Sequence, residues 1–297
     1  MRFENVLVTG AGGLLGRYVT AELAAHTAPT GFDLKGDETM LHGDITDYEA
    51  VARAVAGRDA VVHVAALANI WAGSPNEIMR VNTMGTWNVL QAAVDAGVRR
   101  VVLCSSDSVV GFTVAEGAML PPLYLPIDEQ HPRRPTDAYA LAKKLGEEMG
   151  RSFAASGDLE VMVLRPVFVL YPEMEAEVIA RARDPKGYRG PAAGGPNAAG
   201  GGPVWHQVDP RDAARAFRLA LELDEVAYEV FFVCGPRILA PEPTLARLQA
   251  YLGHLPEIRR PELYREHPQA PLYDLSHARE VLGFEAAFSA HHLIESA

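Results

Sequence analysis

Tyr139 and Lys143 stand four residues apart in the segment PTDAYALAKKLGEE, residues 135–148. Four residues is about one turn of helix, so in a helix the two side chains share a face. A free phenol, with a pKa of about 10, is a poor base at neutral pH. An ammonium beside it stabilises the phenolate and lowers that value, and a phenol tuned in this way can exchange a proton with an alcohol. A surface helix can carry the same two residues by chance. The spacing therefore admits a proton-transfer pair or an idle pair, and the surrounding elements must decide between them.

Those elements alternate. NVLVTG (5–10) reads as a buried strand and GLLGRYVTAELAA (13–25) as a helix. DAVVHVAA (59–66) is a strand, and PNEIMRVNTMGTWNVLQAAVDAG (75–97) a long helix closed by Gly97. RRVVLCSS (99–106) is a strand, residues 136–156 a helix, and LEVMVLRP (159–166) a strand stopped by proline. This rhythm predicts an α/β fold, a doubly wound parallel sheet with helices on both faces.

The first strand runs into VLVTGAGGLLG, which sets Gly10, Gly13, Leu14, Leu15 and Gly16 at the turn into the helix as candidate cofactor contacts. Glycines in this context allow a tight turn, close approach of backbone to a pyrophosphate and close helix–strand packing. The pyrophosphate then meets the free N–H groups and the dipole of the helix. Asp33 ends the second strand. A carboxylate there accepts from ribose hydroxyls and repels a 2′-phosphate, which favours NAD over NADP; Lys35 nearby is a mild counter-signal. In GDITD, Asp44 and Ile45 offer a polar group and an apolar wall where an adenine would lie, although Asp44 also reads as a turn or N-cap residue.

The chain has 297 residues, 48% of them hydrophobic, enough for a sizeable core. Its formal net charge of -11 disfavours nucleic acid and anionic membrane as partners. Cys104 and Cys234 lie in apolar runs and read as reduced, buried residues. No CxxC or HExxH occurs, so no metal site is expected. With no signal-peptide pattern and no run of 18 apolar residues, a soluble, cytoplasmic protein is expected.

The second half changes character. DPKGYRGPAAGGPNAAGGGP (184–203) reads either as a surface insert or as a substrate-covering lid. RARDPKGYR (181–189), which leads into it, carries Arg181, Arg183, Lys186 and Arg189, as anion ligands or as solvated charges at a helix end. His206, in VWHQVD, is either a pocket residue or a structural one. The expected organisation is a dinucleotide-binding domain over 1–170 and a small lobe over 171–297, with residues 207–235 returning to the sheet.

TGAGGLLG, Asp33, GDITD, VVHVAA, VNTMGTWNV, CSSDSVVG, YALAK and LRPVFVLYP, in this order over residues 5–215, make the chain resemble an extended short-chain dehydrogenase/reductase of the NAD-dependent epimerase/dehydratase group. The resemblance implies a Rossmann-type sheet with a C-terminal substrate-binding lobe, NAD as cofactor and a homodimer formed through helices 75–97 and 136–156. It makes Tyr139 the acid/base, Lys143 the residue that holds the nicotinamide ribose and lowers the tyrosine's pKa, and Ser106 the hydroxyl that orients substrate. It makes Asn82 a brace for the active-site backbone, lines the cofactor with Ala65, Ala66 and Leu67, and sets Val167 and Phe168 against the nicotinamide. The implied reaction removes the proton of a sugar-like alcohol to Tyr139 as hydride leaves for the nicotinamide.

The chain departs from its relatives in instructive places. Val110 replaces the usual tyrosine of the V-Y-G pattern. Ser106-Asp107-Ser108 stands where sugar-nucleotide dehydratases carry Thr-Asp-Glu, so water elimination is not expected. The uronate dehydrogenase-like subgroup is nearest in its motifs, but has Asn-His after the serine, where this chain has Asp107 and Ser108, and a serine where this chain has Ala68-Asn69. Asn69, Ser106, Asp107, Ser108 and His206 are the expected substrate contacts. A dehydrogenase acting on a sugar or sugar acid is the first reading. A nucleotide-sugar epimerase with tightly held NAD is the second, and a dinucleotide sensor without turnover the third.

Overall fold

The computed structural model describes residues 2–112, 119–184 and 203–295. The chain forms two compact units. The first comprises Met1–Ser106, Asp137–Arg165 and Ala213–Phe231; the second comprises Asp107–Thr136, Pro166–Asp212 and Phe232–Ala297. Residues 107–136 group with the second unit, and Tyr228–Val233 forms the last strand of a seven-stranded sheet.

The first unit is built on a seven-stranded sheet. Its strands are β1 (Asn5–Thr9), β2 (Ala28–Asp33), β3 (Leu41–His42), β4 (Ala60–His63), β5 (Arg100–Cys104), β7 (Glu160–Pro166) and β8 (Tyr228–Val233), after the short β6 (Tyr124–Leu125) of the second unit. Their order is β3-β2-β1-β4-β5-β7-β8. Pairing from β3 through β7 is parallel throughout. Strands buried on both faces must be apolar without alternation, and AVVH of β4 and RVVLC of β5 are buried almost throughout. The order reverses between β1 and β4, the place where open α/β sheets bind ligands.

The helices of this unit are α1 (Leu14–Ala24), α2 (Tyr48–Val55), α3 (Pro75–Met79), α4 (Gly85–Asp95), α5 (Ala138–Ser156) and α7 (Pro210–Glu222), which begins in the second unit. Between α3 and α4, residues Arg80–Met84 form a π-helical turn inside one continuous helix. Ser74 and Glu77 make a capping box at its start, and Gly97, at φ +69°, follows its end. Asp137 caps α5 by accepting from Ala140 N at 2.7 Å, and Gly157, at φ +84°, closes it.

In the second unit β6 pairs in parallel with β9 (Glu257–Ile258). Around them lie α6 (Glu175–Arg183), α8 (Thr244–Leu252), α9 (Pro261–Glu266), α10 (Ser276–Glu280) and α11 (His291–Glu295). Among the described residues beyond β8, four short helices form. Pro261 opens α9, and the buried Asp212 carboxylate accepts from the amides of Ala287 and Phe288 at 2.8–2.9 Å, fixing the segment before α11. Among the described residues no helix is long and apolar enough to cross a membrane.

One charged pair is sunk into the first unit. Arg165 of β7 grips Glu147 of α5 through Nε and Nη2, each at 2.8 Å, with both side chains at most 1% exposed. Removing one partner from such a pair strands the other charge. Arg165→Met is expected to lower unfolding stability by about 3–5 kcal/mol. Replacing Glu147 with Leu in the same chain should recover most of that loss, as read by chemical denaturation of the two variants.

Candidate active site

The glycine loop follows β1 directly. Gly10 adopts φ +74°, and its N–H donates to Phe32 O at 2.8 Å. A Cβ on Gly10 would lie 2.6 Å from Ala65 N, and one on Gly16 only 1.9 Å from Gly10 O. Gly13 is the N-cap of α1, where a Cβ would meet Gly10 O at 3.2 Å. Gly12, which the sequence reading passed over, is also closed to a side chain: a Cβ there would lie 2.4 Å from Lys35 O. Asp33 explains why this approach is close. Its Oδ2 accepts from Gly12 N at 2.9 Å and its Oδ1 from Lys35 N at 3.0 Å, so the carboxylate binds the loop to the end of β2.

Helix α1 has no side-chain cap, whereas α2 and α5 are capped by Asp47 and Asp137. The first-turn amides at Leu14 and Leu15 are thus left for an external acceptor. Leu14 is exposed and Leu15 half-buried. A loop stripped of Cβ atoms, running into an uncapped helix, fits the pyrophosphate of a dinucleotide.

Asn82 sits in the π-helical turn, a distortion often found at functional sites. Its side chain grips Leu67 from both sides, accepting from N at 2.8 Å and donating to O at 3.0 Å, and so fixes the segment Ala65–Ala66–Leu67 after β4. Behind it runs a buried polar chain that the sequence reading also missed. Thr86 donates to Asn82 O at 2.7 Å, His63 Nε2 lies 3.1 Å from Thr86 Oγ1, and His63 Nδ1 lies 2.7 Å from Thr9 Oγ1. Because the Thr86 hydroxyl is already donating, His63 carries its proton on Nε2 and accepts from Thr9. Burial, then the nearby Lys143 charge, pushes His63 down to about 3, so the ring is neutral. The available signal was a histidine ending an apolar strand.

Tyr139 and Lys143 lie on α5 with Nζ 5.8 Å from the phenol ring centroid. Nζ donates to Cys104 O at 2.6 Å, so the end of β5 holds the ammonium beside the ring. Ser105 N donates to Leu164 O at 2.7 Å, and Ser105 Oγ to Glu147 Oε1 at 2.6 Å, which sets the backbone before Ser106. Ser106 itself is 8% exposed. Glu147 and Arg165 were not picked out in the sequence. Their signal was a charge at helical spacing from Lys143 and another inside an apolar strand.

Other expected residues have local partners. Asp44 Oδ1 accepts from Thr46 N at 2.8 Å, a turn contact. Ile45 is buried in the core against Gly85, where a Cβ would lie 2.4 Å from its Cδ1. Asn69 Oδ1 accepts from Trp71 N at 2.9 Å. All of these, with the glycine loop, Ser106, Tyr139 and Lys143, belong to the first unit.

Asp107, Ser108, Val167, Phe168 and His206 belong to the second unit. Asp107 accepts from the Tyr273 hydroxyl at 2.8 Å, and Ser108 is buried beside it in sequence. His206 is 3% exposed; its Nε2 accepts from Leu272 N at 3.1 Å and its ring packs on Tyr273. Val167 N donates to Val233 O, and Phe168 O accepts from Val208 N, both at 3.0 Å. Arg181 stacks on Trp205 at 3.8 Å, while Lys186, Arg189 and residues 185–202 of the Gly-rich segment lie outside the described residues.

The sequence matches the NAD dependent epimerase/dehydratase family over residues 6–234. The chain belongs to this family. Its cofactor is NAD. A uronate dehydrogenase of Pseudomonas syringae pv. tomato is 31% identical over 175 residues, 55% of this chain and 58% of the relative. An L-arabinose 1-dehydrogenase (NAD(P)(+)) of Haloferax volcanii is 33% identical over 170 residues, 54% and 65% of the two chains. The match therefore spans less than two thirds of either relative. A solved short-chain dehydrogenase/reductase superfamily protein from Agrobacterium tumefaciens, with bound NAD, aligns over 99% of this chain and 96% of its own, at a TM-score of 0.72 and 26% identity.

Gly12→Ala should drive the loop off Asp33. NAD affinity measured by calorimetry is expected to fall by more than about tenfold, or about 1.4 kcal/mol. The melting temperature should fall as well, because the clash is with backbone, at Lys35 O.

Proposed function

We propose that this chain is an NAD-dependent oxidoreductase that moves hydride between NAD and a hydroxyl-bearing carbon of a sugar or sugar-acid-like substrate, with Tyr139 as its acid/base. The observation that carries the reading is the Lys143 ammonium, fixed by Cys104 O and set beside the Tyr139 ring. Bound NAD supplies the hydride acceptor. The chain's own residues do the rest. Asp33 and the glycines hold the loop that receives the dinucleotide, and Asn82 keeps the strand-end backbone in place. Ser106 orients the substrate hydroxyl by a hydrogen bond. Lys143 stabilises the Tyr139 phenolate, which takes the hydroxyl proton as the carbon is oxidised. Two relatives that act as uronate and L-arabinose dehydrogenases support the sugar class.

Tyr139→Phe tests the base. Turnover, followed at 340 nm with NAD and a panel of aldoses, aldonates and uronates, is expected to fall by about 10²–10⁴-fold, with NAD affinity nearly intact. A variant of near-normal rate would refute the role. NAD released stoichiometrically on denaturing the purified protein, without net reduction on the panel, would favour a nucleotide-sugar epimerase.

We also propose that α4 and α5 form a homodimer interface. Met84, Trp87, Leu141 and Leu145 are 37–51% exposed on these helices, and Trp87 meets Phe153 of α5 edge-on at 5.3 Å. Exposed apolar side chains gathered on one helix pair commonly mark an interaction surface. Trp87→Glu with Leu145→Glu is expected to halve the mass measured by light scattering after size exclusion. An unchanged mass would place the interface elsewhere.

A further inference from the structure

Trp71 lies in the segment that carries the chain from β4 to α3. Its indole Nε1 is shut away from water and has no hydrogen-bond partner among the described residues. Buried indole N–H groups usually find an acceptor, and an unpaired one needs a cause. Its place in the fold supplies one. At the start of the segment, Ala65 N would lie 2.6 Å from a Cβ on Gly10, so the segment begins against the glycine loop. Asn82 holds Leu67 by both of its backbone groups. At Gly73 the chain returns to Leu67, whose Cδ1 would lie 3.1 Å from a Cβ there. Ser74 then caps α3 and locks with Glu77. Residues 68–72 are thus a short loop pinched shut on Leu67.

The far end of this loop leads to Tyr139. Strands β4, β5 and β7 are parallel, so the run from α3 to α4 and the helix α5 both start at the carboxyl edge of the sheet. Helix α3 packs against α5. Its single turn therefore lies beside the first turns of α5, which carry Tyr139 and Lys143. The loop spans from the glycine end to the catalytic helix, all within the first unit. Inside it, Asn69 Oδ1 accepts from Trp71 N at 2.9 Å and Asn69 O from Ala72 N at 3.3 Å. The Asn69 side chain is spent on presenting Trp71, whose ring is half-buried.

We propose that Trp71 is a sugar-binding residue: as substrate enters, the indole turns to lay its face on the C–H face of the sugar and donates its N–H to a sugar oxygen, with Asn69 as its positioning residue. The inference rests on the sugar-directed oxidoreductase reading above. A flat apolar surface with one donor at its edge matches a sugar ring, which has C–H groups on its faces and oxygens round its rim. The N–H is unpaired in the free chain, so its bond to substrate replaces no bond to water and adds to affinity more than an ordinary exchange does.

Trp71→Phe keeps an aromatic face and removes the N–H. For a sugar that the parent oxidises at 340 nm, KM is expected to rise about tenfold. Turnover and NAD affinity should stay within about twofold, the pattern of a lost ground-state contact. Trp71→Ala, which removes the face as well, should raise KM further. Asn69→Asp keeps the acceptor for Trp71 N and should bind sugar as the parent does, whereas Asn69→Ala should not. The parent protein gives a direct reading. It has three tryptophans, so its indole ¹H–¹⁵N resonances can be assigned with Trp71→Phe, Trp87→Phe and Trp205→Phe. In the NADH-loaded protein, which cannot oxidise the sugar, saturation with that sugar should move the Trp71 resonance downfield. An unchanged KM in Trp71→Phe, or a stationary Trp71 resonance, with a sugar that the enzyme turns over would overturn the proposal and leave the oxidoreductase reading standing. An Asn69→Asp variant as weak as Asn69→Ala would overturn the positioning role of Asn69. A protein that turns over no sugar of the panel would overturn the oxidoreductase reading, and this inference with it.

Discussion

Glu147 has to be charged in a place where charge is expensive, and the geometry of the α5 face follows from how that is arranged. Its carboxylate is sunk between helix and sheet, receives both arms of the Arg165 guanidinium and accepts the Ser105 hydroxyl. A bidentate pair of this kind is directional as well as strong. It fixes the rotation of α5 about its axis relative to β7 and to the end of β5. Tyr139 and Lys143 lie two turns and one turn before Glu147 on the same helix, so their direction is fixed with it. Lys143 then reaches Cys104 O, one residue before the anchored Ser105. The price of burying the pair is repaid only while every donor and acceptor around it is met.

The cofactor end depends on a different constraint, the absence of side-chain atoms. Gly10, Gly12 and Gly16 are positions where a Cβ would run into backbone, so the loop folds tightly against β4, the end of β2 and itself. Asp33 holds that loop with both carboxylate oxygens, joining Gly12 to the residues that follow β2. On the other side Asn82 grips Leu67, and the Thr9–His63–Thr86 chain ties the π-helical turn back to β1. Each of these polar groups is buried or half-buried and each is satisfied, which is what allows a polar network to specify a single geometry.

Much of this was legible in the residues alone. The apolar runs and their spacing placed the parallel strands, because strands buried on both faces have no other composition available to them. Gly10, Gly13 and Gly16 after β1, Asp33 at the end of β2 and the Tyr139–Lys143 spacing were readable because each follows from local chain geometry. The short elements were not. The two-residue strands β3, β6 and β9 have no periodicity to detect, and α9, α10 and α11, at five or six residues each, are too short for a stripe. Ile45, read as an apolar wall where an adenine would lie, packs in the core where the missing side chain of Gly85 makes room for it.

The sequence by itself determined the alternation of strand and helix, the glycine loop and the helical pairing of a phenol with an ammonium, since these rest on contacts within a few residues. Only the tertiary structure decided the rest. That Glu147 meets Arg165, that His63 is a neutral link carrying its proton on Nε2, and that Gly12 has no room for a side chain beside Asp33 all involve residues from different elements. Such contacts depend on the order and register of the strands, which the run of residues along any one strand does not contain.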